Sequence, residues 1–268
     1  MTAQRSAFGV PPGKSWAVLW AGLLLAVLLF QPEPDALGRS ETGQTSHPLR
    51  LLILTGGHDF DEDAFFGIFK AMDGISWTHV RFPQEAEEKL KPEAADQYDV
   101  ALFYDMYQNS EPHGNDWLKV LEKGKPTVFL HHALGSYIHW PIYGEILGGH
   151  ANFFPNQVVE GVPNSTYKHD VAFRVHIADR DHPITRGLED FDIVDETYDH
   201  YTVNPDVHVL LTVDHPDSGK VIAWTHTYKN SPIVYLQLGH GPSAYDNPNF
   251  RKILERSIRW VAGDMPNR

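Results

Sequence analysis

The chain has 268 residues, 42% of them hydrophobic and 12% aromatic, enough to bury one large core and leave an N-terminal appendage. Its 35 acidic and 22 basic side chains give a net charge of −13, which disfavours a nucleic-acid partner, and no Lys/Arg cluster opposes that reading. The absence of cysteine excludes disulfides, thiolate metal sites, Cys nucleophiles and lipid attachment through an N-terminal Cys, and leaves sixteen histidines as the conspicuous metal ligands and proton carriers.

Residues 1–14 are polar, and Trp16 to Phe30 form an apolar run. The run is short for a membrane span but has the length of a signal-peptide core, and Ala36-Leu37-Gly38 offers small residues for cleavage. Pro32, Pro34 and a polar stretch to His47 separate it from the first strand. Residues 1–45 are therefore read as a signal peptide, or as an N-terminal membrane anchor, plus a linker. Either reading places a domain over 46–265 outside the cytoplasm, secreted or periplasmic after cleavage and membrane-anchored without it.

From Arg50 onward the pattern alternates. A wholly apolar strand at 50–55 precedes a helix at 61–72, whose Phe65, Phe66, Ile68, Phe69 and Met72 recur at helical spacing. A strand at 76–82, an exposed charged helix from Glu85 to Asp96, and a strand from Tyr98 to Tyr104 come next. Asn115 to Glu122 reads as a helix closed by Gly124, and Pro126 opens a strand at 127–131. Tyr137 to Leu147 reads as irregular helix. Strand-like runs then appear at 170–177, 207–213, 219–225 and 232–238, with a hairpin turn at Asp214 to Gly219, before a last helix from Phe250 to Val261. The expected fold is α/β: a doubly wound, mostly parallel sheet of the flavodoxin or amidotransferase type, with an antiparallel β extension in the C-terminal half.

The chemistry gathers at strand ends. Thr55-Gly56-Gly57-His58-Asp59 closes the first strand, His131-His132 follows the strand at 127, and Gly239-His240 follows the strand at 232. In open α/β sheets ligands bind outside the carboxyl ends of the strands. The first loop is no dinucleotide fingerprint and no P-loop, so no nucleotide cofactor is expected. It could equally be a tight turn with Asp59 or Asp61 capping the next helix. No G-x-S-x-G elbow accompanies Ser136 or Ser243. Two adjacent histidines on extended backbone point to opposite sides, so one of His131 and His132 is expected in a site and the other buried and hydrogen-bonded. Asp195-Glu196 could join histidines in a metal site, serve as acid or base, or form an exposed acidic loop. Tyr137, Trp140, Tyr143 and Tyr198 would suit stacking on a sugar and would equally suit a core. His226 is expected beside the ligands or exposed on its strand.

Taken in order, Gly57-His58-Asp59, Val128-Phe129-Leu130-His131, Trp140-Pro141-Ile142-Tyr143, Leu147-Gly148-Gly149, Asp181-His182-Pro183-Ile184, Asp195-Glu196-Thr197-Tyr198, Ala223-Trp224-Thr225-His226 and Leu238-Gly239-His240 resemble the trehalose-utilisation (ThuA-like) family. That family is similar in fold to class I glutamine amidotransferases, whose cysteine has no counterpart here. The resemblance implies a small-molecule carbohydrate partner, an ordinary or oxidised glucoside, and a bound divalent metal. The chain departs from the family at Phe154-Pro155, where His-Pro is common, and at the turn Tyr228 to Pro232. The leading expectation is a metal-assisted enzyme performing hydrolysis, elimination or isomerisation. His58, Asp59, Glu196 and His240 would be catalytic, with zinc, iron or manganese on His58, His131, Glu196 and His240. Gly57, Tyr137, Trp140, Tyr198 and His226 would contact the sugar, and Asp59 and Asp195 would orient the histidines. The alternatives are a non-catalytic carbohydrate-binding protein of the cell surface and a degenerate structural homologue.

Overall fold

The computed structural model describes residues 47–108 and 114–265, so the expected signal or anchor segment lies outside the described residues. Strands β1 (Leu49–Gly56), β2 (Ile75–Arg81), β3 (Val100–Asp105) and β4 (Thr127–Leu130) alternate with helices α1 (Glu62–Lys70), α2 (Gln84–Lys89) and α3 (Gly114–Glu122). Helix α4 (Ile142–Leu147) leads through the two-residue β5 (Gly149–His150) to β6 (Thr166–Ile177) and β7 (Phe191–Asp199). After the two-residue β8 (Thr202–Val203), β9 (His208–Val213) and β10 (Val221–Tyr228) precede β11 (Ser231–Leu236), α5 (Pro242–Tyr245) and α6 (Pro248–Val261).

One nine-stranded sheet runs in the order β2-β1-β3-β4-β11-β10-β9-β6-β7. The pairings from β2 to β11 are parallel, and those from β11 to β7 are antiparallel. This is the expected doubly wound sheet with its antiparallel extension. Alternate residues of β1 explain the two layers: Leu51 and Ile53 face Phe65, Phe69 and Phe250 of α1 and α6, while Leu52 and Leu54 face Ala86, Trp117 and Leu121 of α2 and α3. Each such buried leucine, isoleucine or phenylalanine contributes about 1.5–3 kcal/mol. Asp61 caps α1 by accepting the Ala64 N–H at 3.0 Å, the structural role foreseen for that loop.

The expected charged helix from Glu85 to Asp96 is two pieces, α2 and a 3₁₀ turn at Pro92–Gln97. Lys91 precedes proline and is extended (ψ 148°), because the proline ring disfavours helical backbone before it. The expected helix over 137–147 is helical only from Ile142. Strand β7 has no counterpart among the expected elements. Its carboxylates Asp192, Asp195, Glu196 and Asp199 interrupt the apolar alternation that marks a strand.

Although β7 is the far edge in hydrogen-bonding order, it returns to the segment after β11. The Asp195 carboxylate accepts the backbone N–H groups of Gly239 (2.7 Å) and His240 (3.0 Å). Register shifts interrupt the β10/β9 and β6/β7 pairings in this antiparallel half, and such bulges bend a strand. The second shift sits directly opposite Glu196.

Candidate active site

The site is built at the carboxyl ends of β1, β4 and β11, where an order of the 2-1-3-4-5 type brings ligand loops together, and β7 folds over it. His131 begins a tight 3₁₀ turn directly after β4 with φ 54°, a left-handed conformation that non-glycine residues rarely adopt. That turn overrides the expectation of two histidines on opposite sides of an extended backbone. Both rings go inward, 5.2 Å apart, and both are buried.

The proton on His131 is assigned by its partner. Nδ1 lies 2.5 Å from the carbonyl oxygen of Gln237, which can only accept, so Nδ1 carries hydrogen. In the neutral ring Nε2 is then a lone pair. It faces the Tyr198 hydroxyl (2.7 Å), Oε2 of Glu196 (3.0 Å) and Nδ1 of His240 (3.1 Å). Tyr198 donates; the carboxylate does not. A second proton on His131, donated to Glu196, or a metal ion between the two would satisfy both groups.

The three ligand atoms form a nearly equilateral triangle, because Nδ1 of His240 is 3.2 Å from the same Oε2. Ligands about 2.0–2.1 Å from a tetrahedral zinc lie about 3.3 Å apart, so the spacing fits a metal with little rearrangement. Among the described residues, His131, Glu196 and His240 are the one group of three His or carboxylate side chains close enough to share an ion.

Glu196 and His131 are buried and His240 is partly open. Burial pushes the Glu196 carboxyl up, but hydrogen bonds from His131 and His240 outweigh it and hold the group well below the ordinary carboxylate range. The hydrogen bond to Glu196 raises His240 against its own burial. Burial raises Asp195, opposed by the charge of His131 and by the backbone N–H groups it accepts. Asp195 therefore orients His240 through its backbone rather than through the ring.

His58 stands beside the triad rather than within it. Its ring stacks on His132 at 4.4 Å and meets His240 edge-on at 5.9 Å. Burial, then the facing His131 and His240, lower its proton affinity and leave it a neutral base. His132, expected to be hydrogen-bonded, is sandwiched between His58 and Tyr104, and neither ring nitrogen has a partner among the described residues.

Gly57 adopts φ 74°, and a Cβ there would come within 2.3 Å of the Met106 carbonyl oxygen. The glycine admits the β3 loop as a close neighbour. Asp59 is exposed on the same loop. Tyr198 joins the site through His131. Tyr137 and Tyr143 are fully buried, and Trp140 packs on Trp117 and Tyr137, so these three belong to the core of the α3/α4 layer. His226 sits near the start of β11, opposite the end that leads to His240. It bonds the Ile146 carbonyl at 2.8 Å and lines a separate depression of about 470 Å³ with Glu145, His208 and Trp260. The divergent turn 228–232 lies at that same remote end.

One residue escapes the sequence reading. His169 projects from the β6 bulge and places Nδ1 2.9 Å from Oε1 of Glu196, with its ring 4.8 Å from that of His240. A bulge is not visible in a sequence pattern, and the neighbouring Lys168 and Asp170 make the segment read as exposed.

A family model described as ThuA, trehalose utilisation, matches residues 50–261. The chain belongs to the ThuA family. Comparison with curated proteins finds no match. Among solved structures, a ThuA-like protein from Parabacteroides merdae aligns at TM-score 0.68 and 17% identity, over 82% of this chain and 92% of that one. A ThuA-like protein from Bacteroides uniformis aligns at 0.63 and 21%, over 82% and 94%. A β-galactosidase from Bacillus circulans sp. alkalophilus aligns at 0.52 and 9%, over 81% of this chain and 31% of that one. At these identities the likeness is one of fold. Membership in the ThuA family associates the chain with carbohydrate metabolism. No helix among the described residues is long and apolar enough to cross a membrane.

Proposed function

We propose that this ThuA protein is a metal-assisted enzyme acting on a glucoside or keto-sugar by hydrolysis, elimination or isomerisation. The observation that carries the reading is the triangle of Nε2 of His131, Oε2 of Glu196 and Nδ1 of His240, whose sides are 3.0, 3.1 and 3.2 Å. When bound there, a zinc, iron or manganese ion supplies Lewis-acid polarisation of a sugar carbonyl or activation of water. The protein's own groups do the rest. Gln237 fixes the tautomer of His131, and His169 holds Oε1 of Glu196 so that Oε2 faces the two histidines. Asp195 anchors the loop that carries His240. His58, at the rim and free of the triad, takes a proton from the substrate or returns one. The apolar run at 16–30 supports a location outside the cytoplasm, secreted, periplasmic or anchored.

The test is elemental analysis of the full chain beside a Glu196→Gln/His240→Ala variant, followed by turnover of trehalose and of a keto-glucoside with and without chelator. The expected result is one equivalent of zinc, iron or manganese, lost in the variant, and chelator-sensitive turnover in the wild type. Absence of metal from both proteins after reconstitution would refute the reading and leave a sugar-binding protein as the better account.

A further inference from the structure

Beyond the triad, the same face of the bent sheet continues to the surface as an aromatic ramp. Glu196 and Tyr198 lie two residues apart on β7 and so share a face. Tyr167 of β6 is the register partner of Tyr198, and His169, which reaches Glu196, is two residues further along. Lys168 between them points the other way and pairs with Asp217 at 2.7 Å. Tyr167 therefore stands on the face that carries the ligands, with its ring 5.3 Å from His169, which is in turn 4.8 Å from His240.

Phe153 forms the wall of this ramp. Its ring lies 4.6 Å from Tyr198 and meets Tyr167 in a T-shaped contact at 6.1 Å. It is seated on Gly135 so closely that a Cβ there would come within 2.5 Å of the ring. Phe153 is thus held in place from below, while Tyr167 is 56% exposed. A tyrosine on a strand surface is ordinary in itself. Here it is the one aromatic among the exposed large apolar side chains of the described residues, and it lies two ring contacts out from the ligand triad.

We infer that Tyr167, backed by Phe153, is the stacking platform for the second ring of a two-ring glycoside whose first ring lies at the triad. This rests on the reading of the triad as a sugar site and adds to it an outer subsite on β6 that distinguishes a two-ring glycoside from a single sugar. A pyranose presents axial C–H groups on one face and hydroxyls around its edge. The π-face of Tyr167 matches the former and leaves the latter to solvent and to His169. His169 lies between Tyr167 and His240, so a single ring held at the triad would leave Tyr167 unused and the platform would discriminate by ring number.

The experiment is titration calorimetry of the full chain, wild type, Tyr167→Ala and Tyr167→Phe, against trehalose and against methyl α-glucoside. Loss of the platform is expected to weaken trehalose about tenfold, on the scale of one aromatic contact with its buried area, while methyl α-glucoside changes less than about twofold. Tyr167→Phe keeps the π-face and is expected to bind both sugars like the wild type. Equal weakening of both sugars by Tyr167→Ala, or no change in either, overturns the platform and leaves the sugar site standing. A wild-type chain that binds neither sugar overturns the platform together with the reading on which it rests.

Discussion

Asp105 ends β3 beneath the site, fully buried, and its titration should contribute a loss of stability as pH rises. Burial pushes its carboxyl from the ordinary 3.8 up to about 7, against the opposing hydrogen bonds from the Tyr107 N–H (3.2 Å) and the Ser136 hydroxyl (3.0 Å). Oδ1 has no partner among the described residues. Burial raises the nearby hydroxyls of Tyr137 and Tyr143, so both stay neutral beside it. The unfolded chain gives up this proton near 3.8 and the folded chain near 7, so between those values the folded state binds more protons and stability falls as pH rises. Below 3.8 the group contributes nothing, and above 7 the full penalty applies. Each tenfold step in proton affinity is about 1.4 kcal/mol, which puts the full penalty at about 4 kcal/mol. About 3 kcal/mol of it accrues between about pH 5 and about pH 8. Asp105→Asn keeps an oxygen for Tyr107 and Ser136 and cannot ionise. The assay is thermal unfolding of both proteins across that range. For a domain of this size the variant should gain on the wild type by about 6–12 °C in Tm between the two ends. A Tm difference that does not change with pH would refute the reasoning, since it would mean that the carboxyl ionises in the fold as freely as in water.

Three further substitutions probe the frame of the site. Gly57→Ala meets both φ 74° and the Met106 carbonyl, so denaturant titration should show a loss of about 2–4 kcal/mol, and a loss under about 0.5 would mean that the two loops separate freely. Asp195→Ala strands the N–H groups of Glu196, Gly239 and His240, and should lower stability by about 2–5 kcal/mol and weaken the metal binding proposed above; a loss under about 0.5 kcal/mol with metal affinity unchanged would show that His240 needs no such anchor. His132→Phe replaces a ring whose nitrogens have no partner among the described residues, and should raise stability by about 1 kcal/mol in denaturant; a loss of that size would show that the imidazole makes a polar contact in solution.

The sequence alone determined the parallel half of this protein. Leu51 to Leu54, Val128 to Leu130 and Ile233 to Leu236 are apolar on both faces because helices cover both faces, and that pattern is local. The placing of His58, His131 and His240 at carboxyl ends of strands follows from it, as does their approach to one another, since adjacent parallel strands end at the same edge. Only the tertiary structure decided which of these histidines act together. His131 joins Glu196 and His240 because a left-handed turn aims its ring, while His58 stacks to the side. The strand that carries Glu196 is not legible as a strand, although Glu196 itself is grouped with the histidines. Its buried carboxylates are satisfied by groups distant in the chain, such as the N–H of Gly239 and the ring of His131, which no local pattern records. His226, grouped by sequence with the ligands, is separated from them by the length of β11, because an antiparallel partner starts where its neighbour ends. His169 and Tyr167 reach the site through a bulge, and a one-residue change of register is set by pairing between strands rather than by either strand's own composition.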